Sequence, residues 1–166
     1  LLFNSKTVID RSWRFDSKAL FECIRESGTK LKNSPFLVAN RDLSWNNIGI
    51  VNIDRRVLQI ADWGSFGVAY RGYDEGRLFT RLCLNLELQG EYIKALNAYV
   101  DIDSKADREF MISFWRIAAI RSYREIYLIL NGRYDHLVKS EDFKNQFIRS
   151  FEHMIGTSID RLTNLF

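Results

Sequence analysis

The sequence predicts an α+β domain, mainly α-helical, with one small β-hairpin near its front. Three observations predict it. The chain has 166 residues, of which 46% are hydrophobic, enough for one domain with a sizeable core. From Asp74 onward apolar residues recur at helical spacing, and the only proline, Pro35, lies ahead of that stretch, so long helices can run unbroken. Between Pro35 and Asp62 the pattern is one of short β-prone runs separated by turns, FLVAN, NIGIVN and RVLQIAD.

The elements follow in order. Asp16 or Ser17 can cap a first helix, with apolar residues at Leu20, Phe21, Ile24 and Leu31 and an end that Gly28 is expected to fray. Pro35 then breaks the helix and leads into FLVAN as a strand. NIGIVN and RVLQIAD, joined by IDRR, form the hairpin, with Ile48 and Ile50 on one face and Leu58 and Ile60 on one face of the partner strand. Asp62 continues the phase of Leu58 and Ile60, so its carboxylate is expected at the end of an inward-facing row. YDEGRLFTRLCLNLEL and EYIKALNAYV give two helices broken near Gln89–Gly90. SKADREFMISFWRIAAIRSYREIYLIL, opened by Ser104 and closed by Asn131–Gly132, is apolar almost all round, which marks a central packed helix. SEDFKNQFIRSFEHMIGTSIDRLTNLF is a last helix capped at Ser140.

Composition narrows the function classes. The formal net charge is +3 and the Lys and Arg are scattered, which argues against nucleic acid as a partner. Cys23 and Cys83 lie far apart with no CxxC, so they read as buried thiols of a reduced compartment, and a cytoplasmic location is expected. His136 and His153 are the only histidines, and without a Cys/His cluster no zinc site is expected. No apolar stretch approaches bilayer length, so no membrane is expected, and the opening LLFNSKTVIDRS is too short and too polar for a signal peptide.

The segment ANRDLSWNNIGIVNIDRRVLQIADWGSFG, from Ala39 to Gly67, sets Asp42, Asn47 and Asp62 around the hairpin. Each of them alone is an ordinary turn residue. Their order carries the information: a strand, Asp42, Asn47 five positions on, the hairpin, Asp62 twenty positions after Asp42, a glycine, then Asp74 opening a helix. Phosphoryl transfer needs such parts. One carboxylate orients the attacking hydroxyl and takes its proton, and hard oxygen ligands hold Mg²⁺ against nucleotide phosphates.

NRDLSWNN and IADWGSFG resemble the two motifs of the kinase-like superfamily, usually written HxDxxxxN and D-[FW]-[GE]. Asp62 is followed after only twelve residues by YDEGRLFTRL, and no APE-like motif appears. The long-helix half therefore resembles the aminoglycoside phosphotransferase and choline kinase branch more than the protein kinases. The resemblance spans about Asp16 to Tyr134, with the specific motifs between Pro35 and Leu78. It implies that residues 1–166 are a single protein-kinase-like C-terminal lobe, a fragment lacking the nucleotide-clamping N-lobe. An exposed apolar face is then expected where an N-lobe or partner chain would sit.

The resemblance also implies an ATP- and Mg²⁺-dependent phosphotransferase that moves the γ-phosphoryl group to a small-molecule hydroxyl. Asp42 would be the catalytic base, Asn47 and Asp62 would hold the metal and with it the nucleotide, and Asp74 would brace the catalytic loop from the start of a helix. Asn46 is the other amide in the loop, and the motif's spacing selects Asn47. The pattern departs at Asn40, where the family has His; that His supports the loop by hydrogen bonds, and Asn also donates and accepts. The alternative is a non-catalytic kinase-like lobe used as a binding or regulatory module. Asn40 points that way, and the retention of Asp42, Asn47 and Asp62 points against it.

Four further features have two readings each or a structural one. Trp45 is a pocket aromatic suited to an organic cation, or a packed surface Trp. Trp63 is expected in the core. The acids of VDIDSKADRE attract a cationic substrate, or simply favour a helix N-terminus. Arg116, Arg121 and Arg124 reach a phosphate, or form ion pairs such as Arg121 with Glu125.

Overall fold

Asp16 starts the first helix by accepting, through Oδ1, the amides of Lys18 and Ala19 at 2.8 and 3.1 Å. This is the opening of a computed structural model that describes residues 13–136 and 140–166; the stretch LLFNSKTVIDRS lies outside the described residues. The helix, α1 (Ser17–Lys30), runs past Gly28 rather than fraying there. A helical glycine costs only about 1 kcal/mol, and α1 is held from the side, where the Nε of Arg116 donates to the Ile24 carbonyl at 3.3 Å.

After Pro35 the chain enters β1 (Phe36–Ala39), and its antiparallel partner is β4 (Gly67–Tyr70), with Phe36 opposite Tyr70 and Ala39 opposite Gly67. The hairpin is a separate two-stranded sheet of β2 (Ile48–Asn52) and β3 (Val57–Ile60). Its register puts Ile48 opposite Ile60 and Ile50 opposite Leu58, so these four share a face as the alternation predicts. That face is not inward: Ile50 is 67% and Leu58 61% exposed. Nor does Asp62 extend the row. β3 ends at Ile60, and Asp62 takes a φ of +56°, which turns the chain out of strand geometry.

The helical half consists of α2 (Tyr73–Thr80), α3 (Leu86–Asn97), α4 (Lys105–Leu130) and α5 (Glu141–Thr163). The break between α2 and α3 falls at 81–85, not at Gln89–Gly90. Asn85 makes it: its Oδ1 accepts the Leu88 amide at 3.0 Å, and Gln89 in the new first turn donates to the Leu82 carbonyl at 2.8 Å. Gly90 sits in open space inside α3, where nothing requires a break. α4 begins after Ser104 and ends at Asn131, with Gly132 at φ +73°. Ser140 caps α5 by accepting the Phe143 amide at 3.4 Å.

The core is built on α4, which packs against α1, α2 and α5. Phe114, Ala118 and Ala119 of α4 meet Leu20 of α1 and Ile155 and Leu162 of α5 in one cluster, all of them fully buried. Cys23 and Cys83 are buried free thiols. Among the described residues no helix is long and apolar enough to cross a membrane. The architecture is the predicted α+β one, mainly helical, with a small antiparallel hairpin.

One close approach positions the site. Gly72, at φ +92°, and Gly76 bring the backbone of α2 against α4; a Cβ on Gly76 would lie 2.5 Å from the Phe114 carbonyl oxygen. This contact sets where Asp74 and Arg77, on the same short helix, can reach.

Candidate active site

The loop after β1 is held by two side chains from α2. Asp74 accepts the Asn40 amide on Oδ2 at 2.8 Å and the Arg41 amide on Oδ1 at 2.9 Å. Arg77, one turn on and buried, donates to the Arg41 carbonyl and to Oδ1 of Asp42. The Arg41 peptide is thus gripped from both sides, and Arg41 takes a φ of +62°. Such a conformation costs about 1–3 kcal/mol and persists only where the surroundings over-determine it. Arg41 and Asp62 are two of the three non-glycine residues with positive φ among those described, and both border this site.

Asn40 joins the two halves of the constellation. It is 3% exposed; its Oδ1 accepts the Asp42 amide at 3.0 Å, and its Nδ2 donates to the Asp62 carbonyl at 2.9 Å. The amide of Ala61 donates to the Asn47 carbonyl at 2.8 Å. These bonds join the loop of Asp42 to the turn of Asp62, and that turn to the end of the segment holding Asn47, although the three residues lie up to twenty positions apart in sequence. Asn40 both donates and accepts, as its amide permits.

The Asp42 side chain is 47% exposed, with Arg77 on Oδ1 and no partner for Oδ2 among the described residues. Asp62 is exposed, and its carboxylate receives only a long contact from the Gly64 amide at 3.4 Å. The half-buried Asn47 has no side-chain hydrogen bond among the described residues. A carboxylate and an amide oxygen with free acceptor capacity are hard ligands that fit Mg²⁺, which takes one or two protein ligands and completes its shell with phosphate and water. Among the described residues no group of three His, Cys, Asp or Glu forms a metal cage.

Several other expectations change. Trp63 is not in the core: it is 50% exposed, with its Nε1 donating to the Ile60 carbonyl at 3.0 Å, because the turn at Asp62 throws the ring outward. Glu125 pairs with Arg124 at 3.2 Å and accepts the Tyr134 hydroxyl at 2.6 Å, rather than bonding Arg121. Trp45 is 42% exposed and stands edge-on to Tyr92 at 6.2 Å. Asp107 accepts the Asp101 amide at 3.0 Å and Arg71 at 2.8 Å, and these bonds, the backbone one first, hold its carboxyl below the usual range. The acidic stretch thus has a structural use.

Arg77 was not among the residues that the sequence singled out. The available signal was its place three residues after Asp74, one turn along the same helix face. Comparison of the chain with protein-family models, with curated proteins and with solved structures finds no match.

Proposed function

We propose that this chain is a protein-kinase-like C-terminal lobe, the catalytic part of an ATP- and Mg²⁺-dependent phosphotransferase acting on a small-molecule hydroxyl. The observation that carries this reading is Asn40, whose single amide ties the Asp42 backbone to the Asp62 carbonyl while Asp74 fixes the loop behind it. Asp42 is the base: the hydroxyl oxygen of the acceptor bonds to the γ-phosphorus, its proton passes to the free oxygen of Asp42, and the bond from the γ-phosphorus to the ADP oxygen breaks. Asn47 and Asp62 would hold Mg²⁺, which would neutralise charge on the phosphates. Arg77, Asp74 and Asn40 keep Asp42 in place, which suits a reaction driven by positioning and electrostatics. The apolar β strands lie where a nucleotide-clamping lobe or partner chain would dock.

The second reading, a non-catalytic binding module, draws on the Arg77–Asp42 ion pair, which satisfies Asp42 as a purely structural acid. A thermal shift with ATP, with and without Mg²⁺, on this chain and on Asp62→Asn separates the two. Ligand at about a hundred times its dissociation constant stabilises by about 2.7 kcal/mol, roughly 5–10 °C for a domain of this size. A Mg²⁺-dependent rise that Asp62→Asn removes supports the enzyme. No rise, for this chain or for one extended upstream, favours the module.

A further inference from the structure

Beside Asp42 lies an open cavity of about 370 Å³ whose walls are almost entirely polar. Six arginines line it: Arg41, Arg77, Arg81, Arg121, Arg124 and Arg133. They come from the loop after β1, from α2 and the turn after it, and from α4 and the turn after it. Only two carboxylates face them, Asp42, taken by Arg77, and Glu125, taken by Arg124 and Tyr134. The guanidinium groups of Arg41, Arg81, Arg121 and Arg133 have no hydrogen bond or ion pair among the described residues. Arg77, 6% exposed, keeps a buried Nε with no partner there.

Gathering like charges is unfavourable unless something answers them. Half-buried Arg121 shows the strain: burial first, then the Arg77 and Arg124 charges, push its acidity up. Arg121 and Arg81 also line a second cavity, of about 260 Å³, whose far wall is Cys83, Ile129, Phe147 and Phe151. The cleft therefore runs from Asp42 through a cluster of guanidinium forks into an apolar trough. Guanidinium forks match phosphate oxygens in pairs, which an ammonium cannot do.

We propose that this arginine cleft binds a phosphate group, and that the acceptor is accordingly a phosphate-bearing hydroxyl compound with an apolar portion, not the cationic aminoglycoside or choline type. Only the word acceptor rests on the phosphotransferase reading; phosphate binding by the cleft does not.

The test is calorimetric titration of this chain with inorganic phosphate, glycerol 3-phosphate, glycerol and kanamycin, without nucleotide. The two phosphates should bind, and glycerol and kanamycin should not. Arg121→Gln should weaken phosphate binding roughly tenfold to a hundredfold, the effect of losing a charge-assisted hydrogen bond. Arg81→Gln, at an exposed position on the rim, provides the same loss without risk to the core. Lys94→Gln, which removes an exposed cation of α3 that lines neither cavity, should leave phosphate binding unchanged. Absence of phosphate binding, binding indifferent to both Arg substitutions, preferential binding of kanamycin, or an equal loss in Lys94→Gln would each overturn the proposal. Failure of the Mg²⁺–ATP shift with phosphate binding intact would instead end the phosphotransferase reading alone.

Discussion

The helical half and the β front of this chain treat apolar residues in opposite ways. In the helical half, Phe114 and Ala118 of α4 and Ile155 and Leu162 of α5 are fully buried against one another. In the front, Phe36 and Val38 of β1, Ile50 and Val51 of β2, Leu58 of β3 and Val68 of β4 are all more than half exposed. Two-stranded sheets bury little by themselves, and no described helix covers these strands as α1, α2 and α5 cover α4. The difference teaches where the candidate site belongs. Asp42, Asn47 and Asp62 stand on the uncovered front; the loop of Asp42 is fixed from the covered side by Asp74 and Arg77, and Asn40 of that loop holds the Asp62 carbonyl. The helices form the packed platform, and the strands present an exposed apolar face.

The strongest way to break this division is at Gly76, where platform and site meet. Gly76→Ala places a methyl 2.5 Å from the Phe114 carbonyl oxygen, and a backbone atom of a central helix cannot step aside. Overpacking of this kind costs about 1–3 kcal/mol, and α2 must tilt away from α4 to accommodate it. Denaturant unfolding should show the loss. Amide exchange should show faster exchange at Asn40 and Arg41, because Asp74 moves with α2. If exchange there stays slow while stability falls, the loop is held by the front and not by the platform.

The same division explains what was legible in the sequence. The platform was legible because helices announce themselves through period and caps: Asp16, Ser140 and the Asn131–Gly132 stop lie where they were expected. The α2–α3 break was misplaced because Gly90 looks like a breaker, while the capping amide of Asn85 is an ordinary residue until its bond to Leu88 is seen. In the front, the alternation gave the hairpin, and the residues of each strand that share a face, correctly. It could not give burial, since which face is covered depends on what lies opposite, and alternation is silent on that. β4 was missed because GVAY carries no polar alternation and pairs with β1, far away in sequence. At the site, Asp42, Asn47, Asp62 and Asp74 were singled out by the resemblance of their segments to kinase-like motifs. Arg77 and the arginine cleft were not, because residues 41, 81, 121 and 133 become neighbours only once α2 and α4 have packed.

A milder perturbation sharpens the contrast from inside the platform. Cys83 is buried in the core cluster, and burial pushes its thiol up to about 11 from 9.0. Because the folded value is raised, the unfolded chain releases this proton first. The contribution is therefore fully present below pH 9 and is lost as the pH rises toward 11. At pH 10 the loss is about 1 kcal/mol. Comparing the chain with Cys83→Ala between pH 8 and 11 should show a steeper fall in stability for the wild type. Parallel curves would mean that the thiol is solvated and that the platform is looser there than its packing indicates.

The smallest effect on stability should come from the front, and its smallness is the point. Leu58→Ser removes an apolar side chain that is 61% exposed and lies outside the buried core cluster. An exposed substitution of this kind changes stability by no more than about 0.5 kcal/mol. The property it should change is adhesion: exposed apolar strands invite pairing with other chains, so Leu58→Ser, or better Leu58→Ser with Val51→Ser, should lower concentration-dependent association in sedimentation. A cost comparable to that of Gly76→Ala would require Leu58 to be buried in solution, which means that copies of the chain cover each other's fronts. In that case the substitution should destabilise more at high protein concentration than at low, because the contact it removes forms only between molecules. Stability measured at two concentrations thus decides whether the front is bare or already paired.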